Sequence, residues 1–200
     1  MKKSVIYVHG KGGSPMEAEF YRPLFGDRDI IGFDYRSDNP WQAQKEFSDF
    51  YDLHSGEYDS VILIANSIGA YFSLVALADK RIEKALLISP VVDMEKLISD
   101  MMMRAGVSEK ELAKRKEIVD DFGETLSWEY LCFVREHPIK WSVPTRILYG
   151  ERDNLTSFDT ISRFAEKTGA ALTVMPNGEH WFHTEEQMEF LRAWAAKSIE

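Results

Sequence analysis

Cysteine is almost missing from this chain of 200 residues: Cys132 stands alone, so no intrachain disulfide can form. A fold that does without disulfides suits a reducing compartment. The flanking Leu131 and Phe133 predict that the Cys132 thiol is buried and structural. Positive charge is also short. Lys and Arg number 24 against 33 Asp and Glu, leaving a formal net charge of -9, which argues against nucleic acid or an anionic membrane as partner. No apolar run approaches the roughly 20 residues of a membrane span. The start, Met1-Lys2-Lys3, is basic, but the apolar run behind it stops at His9-Gly10, too short for a signal-peptide core and without a small-residue cleavage site. A cytoplasmic protein is expected. Repeats, low-complexity tracts and linker-like segments are missing too. With 44% hydrophobic and 28% charged residues the composition is globular, and the length suits one full domain over 1–200 rather than two.

What is present is organised around Val61 to Leu74. Val61 to Ala65 is a continuous apolar run rich in β-branched residues, the pattern of a strand buried on both faces of a parallel sheet. From Ile68 onward Ala70, Leu74, Leu77 and Ala78 recur at helical spacing, so a helix starts within a few residues of the strand's end. Ser67 sits at the bend between small neighbours. Ala65-Asn66-Ser67-Ile68-Gly69 fits a G-x-S-x-G nucleophile elbow with Ala at the first glycine position. It fits a polar turn with a helix-capping serine equally well.

Along the chain, strands alternate with helices. Ser4–Val8 is a strand running into the loop His9-Gly10-Lys11-Gly12-Gly13-Ser14-Pro15, after which a helix is predicted through about Phe25. A second strand covers Ile30–Tyr35, and Asn39 then caps a helix with Pro40 at its first position and Gln42 at the capping-box site. Lys84–Ser89, Thr145–Tyr149 and Ala171–Met175 are the fourth, fifth and sixth strands. Thr156 is expected to cap the helix after the fifth, and Thr184 with Gln187 the last helix. Such alternation implies an α/β fold, a doubly wound, mostly parallel six-stranded sheet. Between Pro90 and Pro144 only helical patterns occur, predicting a small helical insertion over about 93–140. It would lie beyond the C-terminal edge of the sheet, where ligands bind in such folds.

A serine nucleophile needs a base, a group that orients the base, and donors for the developing oxyanion. His180 follows the sixth strand directly and is the first choice of base, with His183 the second. His9 could hold the loop after the first strand, and His54 and His137 look like ordinary helix-end and pre-proline residues. For the acid, Gly150-Glu151-Arg152-Asp153 follows the fifth strand; the same tripeptide also fits a solvated turn, and Asp93 is the rival. Asp153 completes the chain order Ser, Asp, His. The backbone N–H of Ile68 and an N–H of the glycine-rich loop are the oxyanion candidates. That loop is not a phosphate loop, because the spacing of neither G-x-G-x-x-G nor Gly-Lys-Ser/Thr is met. His180 and His183 lack the companions a closed metal site needs.

The segments Val8-His9-Gly10-Lys11-Gly12-Gly13-Ser14, Asn66-Ser67-Ile68-Gly69, Tyr149-Gly150-Glu151-Arg152-Asp153 and Gly178-Glu179-His180 together resemble the α/β-hydrolase superfamily, in particular small serine hydrolases of the esterase, lysophospholipase and serine-aminopeptidase type. The resemblance spans nearly the whole chain. It implies nucleophile Ser67, acid Asp153, base His180 and oxyanion N–H groups on Lys11 and Ile68. It also implies a six-stranded minimal sheet, in the order 4-3-5-6-7-8 of the family's strand count, with 93–140 as the variable cap. The implied activity is cleavage of a small acyl ester through an acyl-enzyme, with no cofactor. A thioesterase, an amidase, or a ligand- or partner-binding protein with little turnover is the alternative. In the cap, Met94, Leu97, Ile98, Met101, Met102 and Met103 form either its own packing face or part of an acyl pocket. Met101 and Met102 are the substrate-contact candidates, with Lys11 near the mouth.

Overall fold

A computed structural model describes residues 2–121 and 123–199. In chain order the elements are β1 (Lys3–Val8), β2 (Asp29–Phe33), α1 (Pro40–Ser55), β3 (Ser60–Asn66), α2 (Ser67–Ala76), β4 (Lys84–Ile88), α3 (Met94–Ala105), α4 (Glu109–Arg115), β5 (Glu117–Val119), β6 (Thr125–Ser127), α5 (Trp128–Glu136), β7 (Thr145–Gly150), α6 (Phe158–Thr168), β8 (Ala171–Met175) and α7 (Glu185–Ile199). They form two compact units, Asp93–Ile139 and the remainder.

The larger unit is built on one sheet with strand order β2-β1-β3-β4-β7-β8, every pair parallel. Val61 to Ala65 of β3 are all buried, as a strand covered on both faces requires. Side chains of a strand alternate between faces. Val5 and Tyr7, Ile62 and Ile64, Leu86 and Ile88 therefore share one face, where they pack with Tyr21, Phe25, Leu191 and Trp194. Phe33, Phe47 and Phe72 join β2, α1 and α2, with ring centroids 4.8 and 6.0 Å apart. Parallel strands all point one way, so the loops after β1, β3, β7 and β8 emerge at the same edge.

Three local expectations fail in this unit. The connection after β1 is not an α-helix but two short 3-10 helices, Pro15–Phe20 and Arg22–Leu24. Pro23 lacks the N–H that a continuing helix needs. The segment also runs close over β2: a Cβ on Gly32 would lie 2.1 Å from the Pro15 carbonyl oxygen. The cap of α6 is Ser157, whose Oγ accepts the Thr160 N–H, rather than Thr156. β2 itself ends at Phe33, two residues before the predicted end.

The smaller unit holds α3, α4 and α5, together with a hairpin of β5 and β6 where only helices were expected. Each strand has three residues and buries one, Ile118 or Leu126, too little to give an alternating signal. The turn closes through the Asp120 carboxylate, which accepts the Glu124 N–H at 2.9 Å, and through Gly123 at φ +82°. Arg135 on α5 ties the helices together, donating to Glu95 on α3 and to Glu109 on α4. Cys132 is half-buried, not fully buried as its neighbours suggest, because α5 turns it off the face that buries Leu131 and Val134.

The close crossing at Gly32 generates a test. Gly32→Ala drives a Cβ into backbone that a side-chain rotation cannot clear, and overpacking of this kind destabilises by about 1–3 kcal/mol or more. Urea unfolding should register that loss with an unchanged m-value.

Candidate active site

The junction of β3 and α2 leaves the chain no room for a conventional turn, and Ser67 takes it up with φ at +51°. A left-handed conformation costs a side-chain-bearing residue about 1–2 kcal/mol. The surroundings hold it there. The Val91 N–H donates to the Ser67 carbonyl at 3.1 Å. Gly69 lies so close to the end of β1 that a Cβ would stand 2.2 Å from the His9 carbonyl oxygen. Gly10 meets the elbow from the other side, its Cβ position 3.2 Å from the Ser67 Cβ. Ala65, fully buried and in register between Val8 and Leu87, takes a methyl at the first motif position.

Ser67 Oγ lies 2.9 Å from His180 Nε2, and His180 Nδ1 lies 2.7 Å from Asp153 Oδ2. The carboxylate can only accept, so Nδ1 carries the proton and Nε2 presents its lone pair to the serine hydroxyl. The Asp153 side chain is fully buried. Its second oxygen accepts the N–H groups of Leu155 and Thr156 at 2.8 and 2.9 Å. Three donors thus fix the orientation of this carboxylate, which no residue of the charged tripeptide reveals by itself.

The loops after β7 and β8 are joined along their backbones. Glu151 N–H donates to Met175, and Arg152 N–H to Gly178 at 2.7 Å. The Glu151 carboxylate accepts the Asn177 N–H at 2.8 Å. Gly150 permits this approach, since a Cβ there would lie 2.5 Å from the Glu179 carbonyl oxygen. Tyr149 donates its hydroxyl to the Thr156 carbonyl at 2.9 Å. Burial, and then the charge of Asp153, raise that phenol above its ordinary value, so it stays a donor. Sequence reasoning placed Tyr149, Gly150 and Glu151 in the motif and Thr156 at a helix cap, but it did not foresee these contacts; a glycine closing a strand was the one local signal.

The rivals have other partners. Asp93 caps α3 by accepting the Lys96 N–H at 2.9 Å. The His183 ring meets the Trp181 carbonyl at 2.7 Å and the Glu179 carboxylate at 3.5 Å. His9 is buried, hydrogen-bonds the Gly10 carbonyl through Nδ1 at 2.8 Å, and stacks on Tyr35 at 4.4 Å between centroids. Lys11 is exposed and follows Gly10 in a turn closed by the Gly13 N–H on the Gly10 carbonyl. Ile68 is the second residue of α2, a helix whose start carries no side-chain cap bond, so its first-turn N–H groups lack that partner. Met101 and Met102 belong to α3 in the smaller unit, Met101 half-buried and Met102 buried. Among the described residues no three His, Cys, Asp or Glu gather as a metal site would need, and no helix is long and apolar enough to cross a membrane.

No protein-family model matches the chain, and no curated protein matches it by sequence. Solved structures do match. Mouse alpha/beta hydrolase domain-containing protein 10 superposes with a TM-score of 0.76 at 17% identity, over 98% of this chain and 89% of that one. Est1E from Butyrivibrio proteoclasticus gives 0.71 at 16%, over 99% and 89%. An esterase from Pyrococcus furiosus gives 0.65 at 18%, over 99% and 81%. The chain has the α/β-hydrolase fold. Within that fold Ser67 sits at the sharp turn between β3 and α2, and Asp153 and His180 follow β7 and β8.

The elbow's strain can be measured apart from any chemistry. Ser67→Ala and Ser67→Gly both remove the hydroxyl, but only glycine accepts a positive φ without steric cost. The glycine variant should unfold at higher urea than the alanine variant, a difference of about 1 kcal/mol.

Proposed function

We propose that this protein is a serine hydrolase that cleaves a small acyl ester. The observation that carries the reading is the unbroken hydrogen-bonded chain from Ser67 Oγ through His180 to a buried Asp153. In this reading Ser67 Oγ attacks the acyl carbonyl while His180 Nε2 takes its proton. Asp153 holds the imidazole in the required tautomer and stabilises the imidazolium that forms. The N–H groups of Lys11 and Ile68 receive the negative charge that develops on the carbonyl oxygen, and α2 adds the positive end of its dipole. His180 then protonates the leaving alkoxide, leaving an acyl-serine. Water enters, His180 takes one of its protons, and the tetrahedral adduct collapses to the free acid and Ser67. An activated thioester or amide would use the same groups. The esterase names among the fold's neighbours support the ester as first choice.

A fluorophosphonate probe should label wild-type protein at Ser67, and Ser67→Ala should remove both labelling and p-nitrophenyl ester hydrolysis, the latter by about 10⁴-fold or more. An unlabelled Ser67 in folded wild-type protein would point instead to a ligand-binding protein with little turnover. His180→Ala should equal the serine loss, whereas His183→Ala should keep most turnover. Asp153→Asn should lower kcat by about 10⁴-fold through the wrong tautomer, with Asp93→Asn mild. The reverse order in either pair would reassign base or acid. Ester, thioester and anilide substrates of one acyl group, compared by kcat/KM, separate the reaction classes.

A further inference from the structure

A second hydrogen-bonded chain runs from Tyr7 through Glu17 to Ser14, beside the elbow, and plays no part in proton transfer. Tyr7, buried near the end of β1, donates its hydroxyl to Glu17 Oε2. The other carboxylate oxygen of Glu17 accepts the Ser14 N–H at 3.0 Å, and Ser14 Oγ accepts the Met16 N–H at 3.2 Å. Burial holds the Tyr7 phenol far above its ordinary value, so it keeps the proton it donates to Glu17.

These groups grip the glycine-rich turn at both ends. Glu17 Oε1 lies 2.9 Å from the position a Cβ would take on Gly13, and the Asn66 amide nitrogen 3.7 Å from that of Gly10. Asn66 makes no cap bond to α2, although a side chain of this type at an N-cap commonly does. A capping box for the 3-10 helix needs only Ser14 and Glu17. It does not require a buried tyrosine, nor an asparagine that forgoes its own helix.

We propose that Asn66, Tyr7 and Glu17 are positioning residues that lock the Gly10–Ser14 turn to the nucleophile elbow, keeping the Lys11 N–H aligned with that of Ile68. The proposal rests on the serine-hydrolase reading for its purpose, but not for its geometry. Removing the link should leave substrate binding intact and weaken only the stabilisation of developing charge. A single oxyanion donor contributes about 10²–10³ in kcat, and a displaced one loses part of that.

The test uses Tyr7→Phe and Glu17→Gln in the full chain, read by kinetics, by inhibition with a trifluoromethyl ketone, and by amide hydrogen exchange. Tyr7→Phe should lower kcat by about 10–100-fold with KM within about twofold, and weaken the ketone, which forms a tetrahedral adduct, by a similar factor. Exchange at residues 11–14 should speed up while β3 stays protected. Glu17→Gln keeps one acceptor oxygen and should fall between wild type and Tyr7→Phe; it carries the test alone if the Phe variant does not fold. Unchanged exchange at the turn overturns the proposal, and so does unchanged kcat in an active enzyme. A loss of activity that merely follows a lower Tm, with β3 exchanging faster too, overturns it as well. If wild-type protein neither reacts with the probe nor cleaves any ester, the hydrolase reading fails separately. Exchange at 11–14 then decides alone whether these residues hold the turn.

Discussion

The left-handed backbone of Ser67 is the constraint from which the arrangement of the larger unit follows. A serine held at φ +51° sends the chain out of β3 and straight into α2, so the start of that helix must lie against the neighbouring strand end. Only a glycine two residues on allows this, because the His9 carbonyl occupies the space a side chain would need. The loop leaving β1 is thereby brought alongside the elbow. Strain of this size persists where the surroundings over-determine it, and β3, paired along its length to β1 and β4 and buried on both faces, does so.

A second close approach, at Gly150, does for the other two members of the hydrogen-bonded chain what Gly69 does for the serine. Strands β7 and β8 are neighbours, so the loops that leave them emerge side by side. Backbone bonds between those loops make the carboxylate and the imidazole parts of one rigid piece. The histidine on the loop after β8 then reaches past the ends of β7 and β4 to meet the serine at the end of β3. One glycine fixes the serine's backbone and the other fixes its partners, and neither contributes a side chain.

Much of this could be read from the residues themselves, where the signal is local. Parallel strands are short β-branched runs closed by glycine, proline or a polar turn, and all six sheet strands were legible on that basis. Ser67, Asp153 and His180 each follow such a run directly. What escaped was set by partners far away in sequence. The path over β2 depends on Gly32 meeting Pro15, a contact that neither residue's own neighbours announce. Thr156 and Ser157 can each cap a helix; the Thr156 N–H is already committed to Asp153, so the cap moves one residue on. Glu151 looks like a solvated charge until its bond to Asn177, 26 residues away, is seen. The hairpin of β5 and β6 is invisible for the opposite reason, since three-residue strands carry too few positions for any period to emerge.

The hydrogen bond between Ser67 and His180 joins groups 113 residues apart in sequence, and the imidazole follows β8, the last strand of the sheet in chain order. During synthesis, β1 and β3 can pair long before β8 and its loop exist. A growing chain therefore carries Ser67 before the imidazole that meets it has been made. The Ser67–His180 bond forms last, once β8 has docked against β7, and a stalled product that stops short of β8 cannot make it.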